Sequence, residues 1–254
     1  MRRLFKITCL GVFLLLVGAL GWVFYKEPVF RAYLCPSCFG LIEIEPHIYL
    51  EQTDDATRTQ IRADVLQAQR DIEAFFQPPF SLPTMLICLT EICQNRLGGS
   101  QALGLAYGTV FILISPKGAN RTIIAHELAH IAVGRQLGSL VMVSGRLPAW
   151  FYEGLAVIVS RDARYLTFPD GGYPDVALPQ SFREWRRRAG LEHAQLYPAA
   201  AFKVSQWMDQ NGGVFGVRAA LKAKLSILIT TKWSYHWFED HSLSGIQRYA
   251  ANTI

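Results

Sequence analysis

Charge is scarce in this chain. Only 18% of its 254 residues are Asp, Glu, Lys or Arg, against 51% hydrophobic ones, which excludes an intrinsically disordered protein and leaves apolar surface for one good-sized core. The chain has no internal repeat, and its 12 Pro and 20 Gly are scattered without period. Solenoid, collagen-like and low-complexity architectures are thereby excluded. No acidic residue precedes Glu27, whereas Arg2, Arg3 and Lys6 do, and the formal charge of +5 falls to +2 once those three are set aside. The body of the chain therefore lacks the basic footprint of a nucleic-acid-binding protein, and no nucleic-acid partner is expected.

Only one apolar run approaches the length of a membrane span. The 19 residues from Ile7 to Tyr25 carry no charge, enough at about 1.5 Å per residue to cross most of a hydrocarbon core of about 30 Å. Arg2, Arg3 and Lys6 on its leading flank predict a cytoplasmic N-terminus, with everything after residue 25 across the membrane, periplasmic or extracellular. A cleaved signal peptide is the rival reading, since Ala19 and Gly21 place small residues before Trp22. The length of the run and the interfacial aromatics Trp22 and Tyr25 favour an anchor over residues 1–25. Residues 26–40 then read as a juxtamembrane linker, and 41–254 as one folded domain.

Cysteine usage suits that compartment. Beyond Cys9 there are two close pairs, Cys35 with Cys38 and Cys88 with Cys93, which predict disulfides with three possible connectivities. A four-thiolate zinc site or a redox Cys-x-x-Cys is the alternative, disfavoured because the spacing is not that of a zinc ribbon and no βαβ pattern surrounds the first pair.

Alternation over 41–50 predicts a strand broken or edged at Pro46, and further strands are expected at 85–89 and 105–115. Between them Asp54 and Asp55 open a helix to about Gln77, ended by Pro78 and Pro79. From Asn120 onward the pattern is helical, over about 120–137, 148–160, 181–189, 198–210 and 213–226. Strands with one helix, followed by helices, argue α+β with a small mixed sheet and a mainly helical C-terminal half.

The chemistry concentrates in His126-Glu127-Leu128-Ala129-His130. Residues four apart on a helix share a face, so both imidazoles reach one ion while Glu127 projects beside them. Six His and 11 Glu in 254 residues give a chance expectation of about 0.006 for this pattern. The apolar flanks bury the helix, and buried His need partners. A third ligand is expected at Glu153, the single charge in Pro148-Ala149-Trp150-Phe151-Tyr152-Glu153-Gly154-Leu155-Ala156. A carboxylate among such neighbours needs a partner, either a metal or Arg146 or Arg161. Zinc fits two imidazoles and one carboxylate with a fourth position open.

His126-Glu127-x-x-His130, 22 further residues, and Glu153 within Pro-Ala-Trp-Phe-Tyr-Glu-Gly-Leu-Ala resemble the gluzincin zinc metallopeptidases, closest to peptidase MA-like domains. The resemblance covers about residues 103–225. It implies one zinc per chain held by His126, His130 and Glu153, and hydrolysis of peptide or protein substrates by a zinc-activated water. Glu127 would take the proton and later deliver it to the leaving amine. The strand from Gly104 to Gly108 resembles the edge strand on which such enzymes align an extended substrate, packed on the active-site helix.

Three departures accompany the resemblance. Gly104 to Gly108 carries no acidic anchor for a free amine, which points to an endopeptidase. Val157 stands where thermolysin-like members have an Asp that orients a ligand His, so that support must come from elsewhere. The oxyanion-stabilising residue is assigned to Tyr197, against Tyr152, Tyr165, Tyr173 and His193. Arg183, Arg186, Arg187 and Arg188 with Phe182 and Trp185 could form a basic aromatic face, although a solvated helix face explains them. His236 and His241 have the wrong spacing for a helical zinc pair. The main alternative function is a non-catalytic zinc-binding member of the same fold, acting as a membrane-associated binding or assembly factor; a metal-free receptor or structural module would require the motif to be accidental.

Overall fold

The structure, a computed structural model, describes residues 24–77, 79–138 and 147–223, together with Gly11, Leu15, Gly18, Gly21 and Trp22. The expected anchor over 1–25 lies largely outside the described residues, as do Arg146, Pro78, His236, His241 and the end of the helix expected over 213–226. Among the described residues no helix is long and apolar enough to cross a membrane.

The segment expected as a linker is packed. Helix α1 (Pro28–Leu34) buries Val29 and Ala32 and is followed by a 3-10 turn at Pro36–Phe39. Strands β1 (Leu41–Glu45) and β2 (Ile48–Glu51) then form an antiparallel hairpin. Pro46 ends one strand and His47 takes a φ of 71°, so the single strand expected over 41–50 is two. Helix α2 (Asp55–Phe76) starts as expected, because the Asp54 carboxylate accepts the Thr57 N–H at 2.8 Å.

Strand β3 (Thr84–Ile87) leads into α3 (Glu91–Arg96), a short helix that sequence patterning missed. Its start is built from side chains. The Glu51 carboxylate accepts the N–H groups of Leu89 and Thr90 at 2.8 Å each, and the Thr90 hydroxyl accepts the Cys93 N–H. Cys88 bonds to Cys93 across this turn, and Cys35 bonds to Cys38 across the 3-10 turn. The connectivity left open by sequence is thus the local one, and no thiolates remain for a four-cysteine zinc site.

A second hairpin replaces the strand expected over 105–115. β4 (Gly104–Tyr107) and β5 (Phe111–Ile114) pair antiparallel about Gly108, whose φ is 62°. The left-handed conformation is open to glycine at little cost. A run of aliphatic and β-branched residues across the turn hid it from pattern reading. The sheet order is β1-β2-β3-β5-β4, with β3 parallel to both β2 and β5. Among the described residues β4 is therefore an edge strand, as expected for the strand beside the His-Glu motif.

Both faces of the sheet are covered. Ile112 and Ile114 of β5 enter the main core with α2 and the later helices, while Phe111 and Leu113 enter a smaller core with Val29 and Ala32 of α1. The alternation is the ordinary one of a strand buried on two sides. Helices α4 (Arg121–Leu137), α5 (Ala149–Ser160), α6 (Phe182–Gln210) and α7 (Gly213–Lys222) make up the helical half. The Arg121 guanidinium donates to Asp71 of α2 at 2.8 and 3.0 Å, which pins the start of α4. The two helices expected at 181–189 and 198–210 are present and meet at a kink within the stretch labelled α6. Glu192 leaves helical angles within it, yet the Arg188–Glu192 ion pair at 2.7 Å bridges the break.

The fold thus has the expected α+β layout, and its cysteine pairing is directly testable. Peptide mapping of non-reduced protein should recover Cys35–Cys38 and Cys88–Cys93. A bond between the two pairs would contradict this arrangement.

Candidate metal centre

Helix α4 is capped by Asn120, whose side chain accepts the Ile123 N–H at 3.1 Å. Its flanks are apolar and buried, so the polar side chains of His126, Glu127 and His130, at 8%, 6% and 6% exposure, sit inside the protein. Helix α5 lies alongside and brings Glu153 to the same point. The first N–H groups of α5 are satisfied by the carbonyls of Gln180 and Pro179. Gly154 sets its depth: a methyl group there would lie 2.5 Å from the Ala200 carbonyl oxygen, so only glycine allows α5 and α6 to cross this closely.

Nε2 of His126 lies 3.5 Å from Oε2 of Glu153, and Nε2 of His130 lies 3.6 Å from the same oxygen. These three groups together could hold a metal ion. Ligand atoms placed tetrahedrally at about 2.0–2.1 Å from zinc stand about 3.3–3.4 Å apart. The observed spacings are close to that, and the donor set of two imidazoles and one carboxylate suits zinc.

Electrostatics agree with a site built around charge. Burial pushes the Glu153 carboxyl up, but His130 and His126, by charge and hydrogen bonding, hold it down at about 2. Burial pulls His126 down, and it is outweighed by Glu153, Glu127 and Asp162, which raise it. Burial raises Glu127 above the usual carboxylate range against the opposing pull of both His.

Glu127 is held from the sheet side. The Ala106 backbone amide is close enough to favour its charged form. A methyl group at Gly104 would lie 2.6 Å from its Cγ. Gly104 and Ala106 therefore face α4, while Leu105 and Tyr107 face away.

Around the ligands, Tyr152 stacks on His130 at 4.1 Å and donates its hydroxyl to the His130 carbonyl at 3.3 Å. Nδ1 of His130 is buried with no hydrogen-bond partner among the described residues. Asp162, 2% exposed and forked to Arg164 at 2.8 and 2.6 Å, is a buried carboxylate acting on His126. Sequence reading missed it, since it lies just beyond α5, where helical spacing gives no guide.

The oxyanion candidates lie in different surroundings. Tyr197 lies 6.1 Å from the His126 ring, between Tyr165 and Trp185. Burial and the Glu153 charge hold its hydroxyl protonated, well above the usual tyrosine range. The Tyr152 hydroxyl is committed to backbone, Tyr173 donates to the Thr167 carbonyl, and His193 is exposed. Phe182 and Trp185 are buried, and Arg188 is paired with Glu184 and Glu192. The basic aromatic face does not form as a unit. A cavity of about 250 Å³ lined by Trp150, Tyr173, Phe202 and Trp207 contains none of His126, Glu127, His130 or Glu153.

Two variants test this geometry. Gly154→Ala should destabilise the fold by about 1–3 kcal/mol through overpacking against α6, read as a fall in denaturation midpoint. Single Ala replacements of His126, His130 and Glu153 should each abolish stoichiometric zinc; zinc retained by Glu153→Ala would remove Glu153 from the ligand set. No protein-family model, curated protein or solved structure matches the chain.

Proposed function

We propose that the chain is a zinc-dependent peptidase of gluzincin type, an endopeptidase anchored in the membrane with its catalytic domain outside the cytoplasm. The observation that carries the reading is the position of Glu127. It stands beside the converging His126, His130 and Glu153 and packs against Gly104 on the edge strand β4.

Zinc, when bound, supplies the Lewis acidity that polarises a peptide carbonyl and lets water act as a nucleophile near neutral pH. The chain's own residues supply the rest. The β4 edge offers backbone groups to an extended peptide, which fixes its register. Glu127, raised by burial, accepts the proton from the attacking water and returns it to the leaving amine. Tyr197 keeps its proton at neutral pH and donates a hydrogen bond to the oxygen on which charge develops.

Glu127→Gln should keep its zinc and lose about 10²–10⁴-fold in turnover, because the amide cannot accept the proton. Unchanged peptide hydrolysis or complementation by Glu127→Gln would replace the peptidase reading with the non-catalytic one. Tyr197→Phe should lower kcat about 10²–10³-fold with little change in KM. Peptides with blocked and free N-termini should be cut at similar rates, and a strong preference for the free amine would contradict endopeptidase action.

A further inference from the structure

α1 packs the residues that follow the apolar N-terminal run against the strands beside the metal site. Phe24 lies 6.0 Å from Phe30 of α1, and Phe30 sits edge-on to Tyr107 at 5.7 Å and to Phe111 at 5.8 Å. Tyr33 stacks on Phe111 at 4.8 Å, and Phe111 on Tyr107 at 4.5 Å. Val29 and Ala32 are buried beneath, and Pro28 fills the space above Gly98, where an added methyl would lie 3.0 Å from its Cδ. Tyr107 lies on the same strand as Gly104, which packs against Glu127. Two ring contacts therefore connect Phe24 to the β4 edge.

The surface beside this ladder has interfacial character. Trp22 and Tyr25 are 62% and 69% exposed, with the Lys26 ammonium 5.0 and 5.9 Å from their ring centroids. Aromatic rings with a cationic tip are the residues that settle at a membrane–water boundary. Leu105, on the same face of β4 as Tyr107, and Val110, in the hairpin turn, add exposed apolar side chains. A flexible tether of n residues lets a domain wander by about 5–6 Å × √n. α1 is packed into the second core and permits no such wandering.

We infer that α1 holds the β4 edge at the bilayer surface, so that the enzyme acts on extended segments of membrane-attached proteins close to where they leave the lipid. This rests on the anchored-peptidase reading above. Substrate and enzyme then share one surface, which raises the effective concentration of bonds near the lipid and leaves distant ones out of reach.

The test uses the full chain in phosphatidylcholine vesicles containing headgroup-nitroxide lipid, with a fluorophore at Val110→Cys or, on α7, at Phe215→Cys, both in a Cys9→Ser background. Quenching at 110 should exceed that at 215 at least threefold, and a 20-residue Gly-Ser insertion between Lys26 and Glu27 should abolish the difference. Equal quenching in the uninserted chain, or failure to co-sediment with vesicles, overturns the placement.

A second arm uses an internally quenched peptide tethered to lipid, with its cleavable stretch about 5 or 30 residues from the tether. The near site should be cut at least tenfold faster, and the insertion should erase that preference while leaving cleavage of the untethered peptide unchanged. Equal cutting of near and far sites overturns the substrate assignment. Failure to cut even the free peptide, with the quenching difference intact, rejects the peptidase reading and keeps the placement.

Discussion

Glu153 is the one carboxylate on α5, and its Oε2 lies within 3.6 Å of two imidazole nitrogens in a region largely closed to water. An ionised carboxylate removed from solvent is costly unless it is paired. The two imidazoles pair it here, and the three groups together could hold a metal ion. The rest of the helical half is arranged to make that convergence possible. Gly154 lets α5 approach α6, the Arg121–Asp71 fork fixes α4 on α2, and the carbonyls of Pro179 and Gln180 close the start of α5.

The sheet contributes through its edge. β5 is buried on both faces and so has side chains that favour a strand at every position, while β4 is half covered and among the described residues leaves one row of backbone groups unpaired by another strand. An open edge is ordinarily an aggregation hazard. Here its inner face is occupied by Glu127 and its outer face by the aromatic ladder from α1, so the same strand touches the Glu127 carboxylate and the segment that follows the apolar run. Gly104 is the point at which strand and carboxylate approach most closely.

The parts of this arrangement legible in sequence are those written in local pattern. Asp54 and Asn120 announce their helices through cap chemistry, and His126, Glu127 and His130 share a helical face by spacing alone. Glu153 stands out because a lone charge among Trp150, Phe151 and Leu155 has no apolar reason to be there. Features set by tertiary contact were hidden. The turn at Gly108 lies inside a run that reads as one strand, α3 is started by a carboxylate from Glu51 some forty residues earlier, and Asp162 acts on His126 only through the folding of the chain beyond α5. Residues 26–40 read as a linker with a Cys pair in local pattern, whereas the burial of α1 depends on Tyr107 and Phe111.

The central claim is that His126, His130 and Glu153 form one zinc centre. X-ray absorption at the zinc edge of purified full-length protein measures it most directly. The account predicts a first shell of nitrogen and oxygen only, with two imidazole nitrogens at about 2.0–2.1 Å, one carboxylate oxygen and one further light ligand. Sulfur scatterers at about 2.3 Å, or a shell without imidazole, would contradict it.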